Sequence, residues 1–92
     1  MRKWGGRRAA RLVAACLVEY GDRCHLAGPM CTGRATTADH VVPHSRGGAD
    51  VLANLRPACL PCNQARGAMP LAEWRELHGQ ATPLLAPSRQ WL

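Results

Sequence analysis

Two adjacent residues near the middle of the sequence, Asp39 and His40, have side chains suited to metal-assisted hydrolysis, and Asn63 adds a third polar group. A neutral imidazole is a suitable general base near pH 7, because its ordinary pKa lies close to that pH. A carboxylate and an amide oxygen are hard ligands that fit Mg²⁺ or Mn²⁺. Hydrolysis of a phosphodiester needs both an activated water and a cation that stabilises the leaving oxygen. The three residue types suit that reaction, although an Asp-His pair alone says little.

Four of the five cysteines fall into two pairs, Cys24 with Cys31 and Cys59 with Cys62. The two-residue spacing of the second pair lets both thiolates approach one tetrahedral ion from a turn that leads into a helix. The first pair is more widely spaced and forms a looser loop, which a Gly-Pro pair within it makes feasible. Four sulfurs from two separate turns predict a closed structural Zn²⁺ site, which would contribute directly to the free energy of folding.

Three other uses of these cysteines remain open. His25 could replace one cysteine as a ligand, the cysteines could form disulfides, or Cys59 and Cys62 could be a redox pair. No secretory signal is recognisable, so we expect a reducing cytoplasm, where paired cysteines more often bind metal. No thioredoxin-like strand–helix context surrounds the redox spacing. Cys16 belongs to the apolar face of a helix, and we interpret it as a buried free thiol.

The composition favours a nucleic-acid partner. Twelve Lys and Arg residues against six Asp and Glu give a formal charge of +6, and all but one of the basic residues are arginine. Arginine suits bidentate phosphate recognition, although a GC-rich genome also favours arginine. A chain of 92 residues without Phe can bury little apolar surface, so a bound metal would help it to fold. No stretch is long and apolar enough to span a membrane.

The residue pattern predicts a small α+β architecture. Apolar residues at three- and four-residue spacing predict a first helix, which Gly21 ends. Adjacent strand residues point to opposite sides, so Asp39 and His40 can share a site only if the strand end is distorted. The predicted elements are a helix over 8–20, a loop over 22–35, a strand over 36–42, a polar loop over 44–50, an irregular turn and second strand over 51–57, helices over 61–66 and 71–78, and an extended tail.

An ordered series of short motifs connects these features. The series runs Asp39-His40-x-x-Pro43, Gly47-Gly48, Asn54-Leu55, Cys59-x-x-Cys62-Asn63 and Arg66-Gly67. Residues 24–67, which contain it, resemble the HNH endonucleases, especially the phage and actinobacterial group with a zinc-binding cysteine frame. Many relatives carry His at the position of Asn63, although the Asn variant is also familiar. Many also place the second zinc cysteine at the position of Ala27, and Cys31 would take over that duty here.

The resemblance implies a ββα-metal fold, also called a His-Me finger, in which a hairpin and a helix surround one divalent ion. It also implies a role for each matching residue. His40 would be the general base, and Asp39 and Asn63 would hold the catalytic Mg²⁺ or Mn²⁺. Asn54 would brace the loop by hydrogen bonds and keep His40 aimed.

The resemblance further implies a single endonuclease domain. Its parts would be a basic N-terminal arm over 1–8, the HNH core over 24–67, and a C-terminal helix and tail over 68–92 within the whole chain, 1–92. Arg46 and Arg66 are expected to touch phosphates. His44 is interpreted as an exposed loop residue, with a phosphate or metal contact as the alternative, and His25 and His78 are interpreted as structural or exposed.

The expected partner is double-stranded DNA, bound through backbone contacts with little sequence choice. The resemblance to phage relatives implies a bacterial host cell, a phage or prophage origin, and a second candidate role as an accessory nuclease in DNA packaging with terminase proteins. A non-catalytic zinc-binding adaptor would suit the cysteines and the charge equally, but it would leave Asp39, His40 and Asn63 unexplained. An RNA substrate also remains open. Trp74 and Trp91 could pack on the core or form a dimer contact.

Overall fold

A computed structural model describes residues 4–80, and the expected α+β architecture is confirmed there. A two-stranded antiparallel sheet lies between an N-terminal helix and two short C-terminal helices. Within the described residues, no helix is long and apolar enough to cross a membrane. The predictions for the extended tail and for Trp91 fall outside residues 4–80. In chain order, the elements are α1 (Gly6–Tyr20), β1 (Thr37–His40), β2 (Leu55–Ala58), α2 (Leu60–Arg66) and α3 (Leu71–Leu77).

Helix α1 packs its apolar face against the sheet, as its periodicity predicts. This first core cluster consists of Cys16, Ala38 and Leu55, with Trp4, Leu12, Val13 and Leu52 packed around them. Cys16 is fully buried, which confirms it as a buried thiol. The helix begins at Gly6, two residues before the predicted start, so the arm expected over 1–8 is partly helical. It ends as predicted, because Gly21 adopts a φ of 87° and donates its N–H to the carbonyl of Leu17.

The prediction of a strand over 36–42 was too long at both ends. β1 pairs with β2 from Thr37 opposite Ala58 to His40 opposite Leu55, and the pairing then stops. Beyond His40 one further backbone hydrogen bond joins Val41 N–H to the carbonyl of Asn54, and side chains then supply the partners: Arg66 donates to the Val41 carbonyl, and the Asn54 side chain bonds Val42. Side-chain partners that satisfy backbone groups compete with a sheet ladder, so the chain can turn away here.

A second core cluster lies where the cysteine-containing loop meets the C-terminal helices. It consists of Cys24, Leu26, Ala58, Cys59, Cys62 and Trp74, with Cys31, Met69 and Leu71 packed against them. Trp74 is 2 % exposed, and its indole N–H donates to the carbonyl of Leu26 at 3.0 Å. Trp74 is therefore a core residue, which attaches α3 to the loop.

The loop between the strands is pinned by a close backbone approach at Gly48. A Cβ built on Gly48 would lie 1.8 Å from the carbonyl oxygen of Val42 and 2.9 Å from the amide nitrogen of Asn54. Both contacts involve groups that hold the end of β1, because Asn54 hydrogen-bonds both backbone polar groups of Val42. Only glycine fits at this position without moving the loop.

Gly48→Ala should therefore destabilise the fold. We expect a loss of about 1–3 kcal/mol in the free energy of unfolding, as for overpacking elsewhere, and a Tm lower by roughly 5–20 °C. Thermal unfolding followed by circular dichroism measures the change. Gly47→Asn is the matched control: Gly47 has a φ of 88° and open space around it, and Asn tolerates that conformation. Equal melting temperatures for Gly48→Ala and the wild type would contradict the packing described for this loop.

Candidate functional site

The four paired cysteines come together at one point, as their spacing predicts. Their sulfur atoms all lie within 4.8 Å of one another, and Cys31 and Cys59 are 3.9 Å apart. Sulfurs bound tetrahedrally to Zn²⁺ at about 2.3 Å would be separated by about 3.8 Å, so the arrangement fits that ion with little movement. A short bridge between Arg23 and Arg34 closes the loop that carries the first pair. Residues 24, 31, 59 and 62 are therefore positioned to hold a metal, and Cys31 is the fourth member of this set.

The surroundings of the cysteine cluster shift the pKa values of Cys59 and Cys62 in opposite directions. Backbone N–H groups of Gly28 and Gly33 point at the sulfurs of Cys62 and Cys31, at 3.4 and 3.3 Å. Burial opposes ionisation of Cys59, but hydrogen bonds from Thr32 and Cys62 outweigh it and lower the pKa of Cys59 to about 6. Burial and the neighbouring thiols raise the pKa of Cys62 to about 12. One thiolate thus suppresses the ionisation of the next, and a divalent cation would relieve that repulsion.

A separate cleft of about 370 Å³ brings together the residues expected to carry out hydrolysis. Asp39 and His40 reach it from the end of β1, and Asn63 reaches it from α2. The side chains of Asp39 and His40 point to opposite faces of the strand, as is usual in a strand. Asp39 contacts α2, while His40 contacts the N-terminal segment and the loop. The cleft lies at the end of the strand, where both faces are within reach. Its lining residues are Trp4, Ala38, Asp39, His40, Pro43, His44, Ser45, Asn63, Gly67 and Ala68.

His40 is held by a buried carboxylate that the sequence did not single out. Its Nε2 lies 2.9 Å from Oδ1 of Asp50, whose side chain is fully buried. The ring of Trp4 meets the imidazole edge-on, with ring centroids 4.6 Å apart. Within residues 4–80, no hydrogen bond to Nδ1 of His40 is formed. The feature of the sequence that could have pointed to Asp50 is its place just after the Gly47-Gly48 pair, in the loop between the two strands.

Asp39 is 3 % exposed, and one of its oxygens is already engaged. Its Oδ2 accepts a hydrogen bond from Arg66 and lies 2.9 Å from Nε2 of His25. Hydrogen bonds to Oδ1 are absent among the described residues. His25, interpreted from sequence as structural or exposed, connects the cysteine loop to the cleft through this contact.

The expectation that Arg66 touches phosphate is wrong. Its side chain is fully buried, and its guanidinium donates to Asp39 and to the carbonyls of His40, Val41 and Met69. A group with these partners and no exposed surface cannot reach a DNA backbone. Arg46 is different, because it lies on the surface with its Nε–H donating to the carbonyl of Ala68. A phosphate contact by Arg46 stays a prediction.

The two asparagines have distinct surroundings. The Asn63 amide nitrogen lies 3.4 Å from the carbonyl of Ala38, which directs its side-chain oxygen to the other side. Asn54 accepts a hydrogen bond from Val42 N–H and donates to the carbonyls of Val42 and Ala49, as expected for a loop brace.

Two further histidines are only partly exposed or stack on a neighbour. The His44 side chain is 30 % exposed, and its Nε2 lies 3.6 Å from Asp50, so it is less exposed than a loop residue was expected to be. His78 stacks on Trp74 with ring centroids 4.1 Å apart, which fits the structural role expected of it.

Comparison with known families agrees with this geometry. The model of the HNH endonuclease family matches residues 21–68, just over half of the chain. The protein therefore belongs to the HNH endonuclease family. The matched span contains both strands, α2 and all four clustered cysteines, but neither α1 nor α3. No curated protein and no solved structure gives a significant match to the chain.

The cysteine cluster predicts that the fold needs a metal. We expect one Zn²⁺ per chain, and chelation should lower the Tm sharply, because four uncompensated sulfurs would be left in the core. Cys59→Ser should lose both metal and cooperative unfolding. Cys16→Ala is the matched control, since Cys16 lies in the other core cluster, and it should keep one Zn²⁺ per chain. Elemental analysis and thermal melts measure both quantities, and a metal-free wild type with an unchanged Tm would refute this expectation.

Arg66 and Arg46 should differ in their contribution to stability. Arg66→Met removes the guanidinium that pairs with the buried Asp39 carboxylate and leaves His25 beside it, and we expect the free energy of unfolding to fall by about 3–5 kcal/mol. Arg46→Met removes a surface charge and should change the free energy of unfolding by no more than about 0.5 kcal/mol. Urea unfolding of the two variants beside the wild type makes the comparison. Similar small losses for both would mean that the Arg66–Asp39 pair contributes little.

Proposed function

We propose that this protein is a metal-dependent DNA endonuclease that hydrolyses phosphodiester bonds. The observation that carries the proposal is the convergence of Asp39, His40 and Asn63 on one cleft in a member of the HNH endonuclease family. A structural knuckle needs none of these three groups. Their chemistry supplies a base and two hard oxygen ligands, which are the groups that hydrolysis of a phosphodiester requires.

The free oxygens of Asp39 and Asn63 would hold a single Mg²⁺ or Mn²⁺. When bound, that ion would stabilise negative charge on the leaving oxygen. Arg66 already neutralises part of the Asp39 charge, so two protein oxygens alone make a weak cation site. Mg²⁺ is commonly held by one or two carboxylates together with substrate phosphates, and a DNA phosphate would complete the site here.

His40 would act as the general base. Its Nδ1 has no hydrogen bond within the described chain and could take a proton from a water placed in the cleft. Asn54 would keep the loop in place around the end of β1, and the edge of Trp4 would restrict rotation of the ring. The four cysteines would hold a structural Zn²⁺ and fix the loop that brings His25 to Asp39.

Binding to double-stranded DNA would rest mainly on charge. The net charge of +6 supports backbone contacts, which give steep salt dependence and little sequence choice. Arg46, at the surface near Ala68 of the cleft wall, is the side chain we propose for a phosphate contact. On this proposal the chain works as one endonuclease domain.

Two alternatives would keep the same architecture. A non-catalytic zinc-binding adaptor would use the cysteine cluster and the positive charge, but it would leave Asp39, His40 and Asn63 without a function. A packaging role with terminase proteins in a phage-infected or lysogenic bacterium would keep the nuclease and add a partner. The resemblance to phage relatives supports this second alternative, together with action in the bacterial cytoplasm.

Cleavage of supercoiled plasmid tests the proposal directly. We expect nicked product with Mg²⁺ or Mn²⁺, none with EDTA, and a rate at least about 100-fold lower for His40→Ala, because the general base is lost. His78→Ala is the matched control, since His78 lies on Trp74 and outside the cleft. Zinc content should be the same in all three proteins.

Two results would argue against the proposal. A zinc-loaded wild type that cuts no DNA with any divalent ion would favour the adaptor. Equal cleavage by the wild type and a folded His40→Ala variant would remove His40 from the reaction.

A further inference from the structure

Asp50 occupies an unusual position for a carboxylate. It is 4 % exposed, its side chain is fully buried, and it lies at the end of the loop that separates the two strands. Its Oδ1 is 2.9 Å from Nε2 of His40. None of the roles proposed above uses this residue.

We propose that Asp50 is a positioning residue that holds His40 with Nε2 protonated and Nδ1 bare, so that the bare nitrogen faces the cleft. This inference rests on the proposed nuclease function, because it gives the base a defined orientation and protonation pattern. A neutral imidazole has one N–H and one lone pair, and the partner of one nitrogen decides which form is present. A carboxylate can only accept a hydrogen bond, so the nitrogen that faces it carries the hydrogen.

The surroundings of Asp50 favour the charged carboxylate. Arg8 of α1 places a guanidinium nitrogen 3.5 Å from Oδ2 and a second one 3.3 Å from the Asp50 backbone carbonyl. His44 lies 3.6 Å from Oδ1, on the same side as His40. A buried carboxylate needs such partners, because desolvation otherwise disfavours its negative charge.

Proton transfer then has a clear course. A water in the cleft loses a proton to Nδ1 of His40, the electron pair of the broken O–H bond stays on the water oxygen, and the ring becomes an imidazolium. The negative charge of Asp50, in contact with Nε2, stabilises that cation. The same division of labour between a base and an orienting carboxylate operates in catalytic triads.

Two residues that contact His40 and Asp50 lie N-terminal to the region matched by the family model. Trp4 and Arg8 precede residue 21, where the match begins, yet one contacts the ring of His40 and the other contacts Asp50. The chain thus uses Arg8 of α1 and Trp4, two residues before the helix begins, to fix a group inside the HNH core.

Nitrogen NMR of the intact, zinc-loaded protein tests the arrangement without relying on activity. Long-range ¹H–¹⁵N correlation at about pH 8, where histidine is mostly neutral, reports which ring nitrogen carries hydrogen, and His40→Ala identifies the signals. We expect a protonated Nε2 and a bare Nδ1 for His40, and loss of this preference in Asp50→Asn. A wild-type His40 with a protonated Nδ1 would overturn the proposal.

Plasmid nicking supplies the functional half of the test. Asp50→Asn should lower kcat by roughly 10²–10⁴-fold with KM little changed, because its amide can donate to Nε2 and favour the opposite form of the ring. Asp22→Asn, the same change at an exposed carboxylate, should nick at the wild-type rate. A folded, zinc-loaded Asp50→Asn variant that nicks as fast as the wild type would refute the role of Asp50. If the wild type itself fails to nick, the nuclease proposal falls, and the NMR result alone decides the Asp50–His40 contact.

Discussion

The buried ion pair between Arg66 and Asp39 constrains the rest of the site. Both side chains are almost completely buried, and an unpaired charge in that environment would be strongly unfavourable. Arg66 therefore has to lie where it can also donate to the carbonyls that follow β1, which fixes α2 against the strand end. The same carboxylate contacts His25, so the cysteine loop is tied to the pair as well. Strand, helix and loop thus meet at one carboxylate.

The cleft takes its residues from both sides of the sheet end, where the two core clusters meet. On one side the four cysteines, which lie close enough together to hold a metal, form a cluster with Trp74 and Leu71 of α3. On the other side α1 covers the sheet and brings Trp4 and Arg8 to His40 and Asp50. Asp39 and His40 are neighbours in sequence but belong to opposite sides, because a strand alternates its side chains. The cleft opens where the strand ends and the two sides come together.

The features that could be predicted from the sequence are those that depend on the spacing of nearby residues. Helix α1 follows from its apolar periodicity, and the cysteine cluster follows from paired spacing, including the position of Cys31 within it. The failures came from contacts between distant residues. Arg66 looked like a surface arginine on a short helix, yet its partner Asp39 is 27 positions away. His25 gave no local pattern and Asp50 gave only its place after the Gly-Gly pair, and β1 ends early because Arg66 and Asn54 replace strand hydrogen bonds. Burial of single polar side chains depends on tertiary packing, which periodicity does not report.

A crystal structure of the His40→Ala protein bound to duplex DNA and Mn²⁺ would test most directly whether this cleft is the site of phosphodiester hydrolysis. Anomalous scattering would locate the ion. We expect an Mn²⁺ peak in the cleft, coordinated by Asp39 and Asn63 together with a DNA phosphate oxygen. DNA bound with no ion at Asp39 and Asn63, or with the cleft turned away from the duplex, would contradict the assignment of this cleft as the centre of phosphodiester hydrolysis.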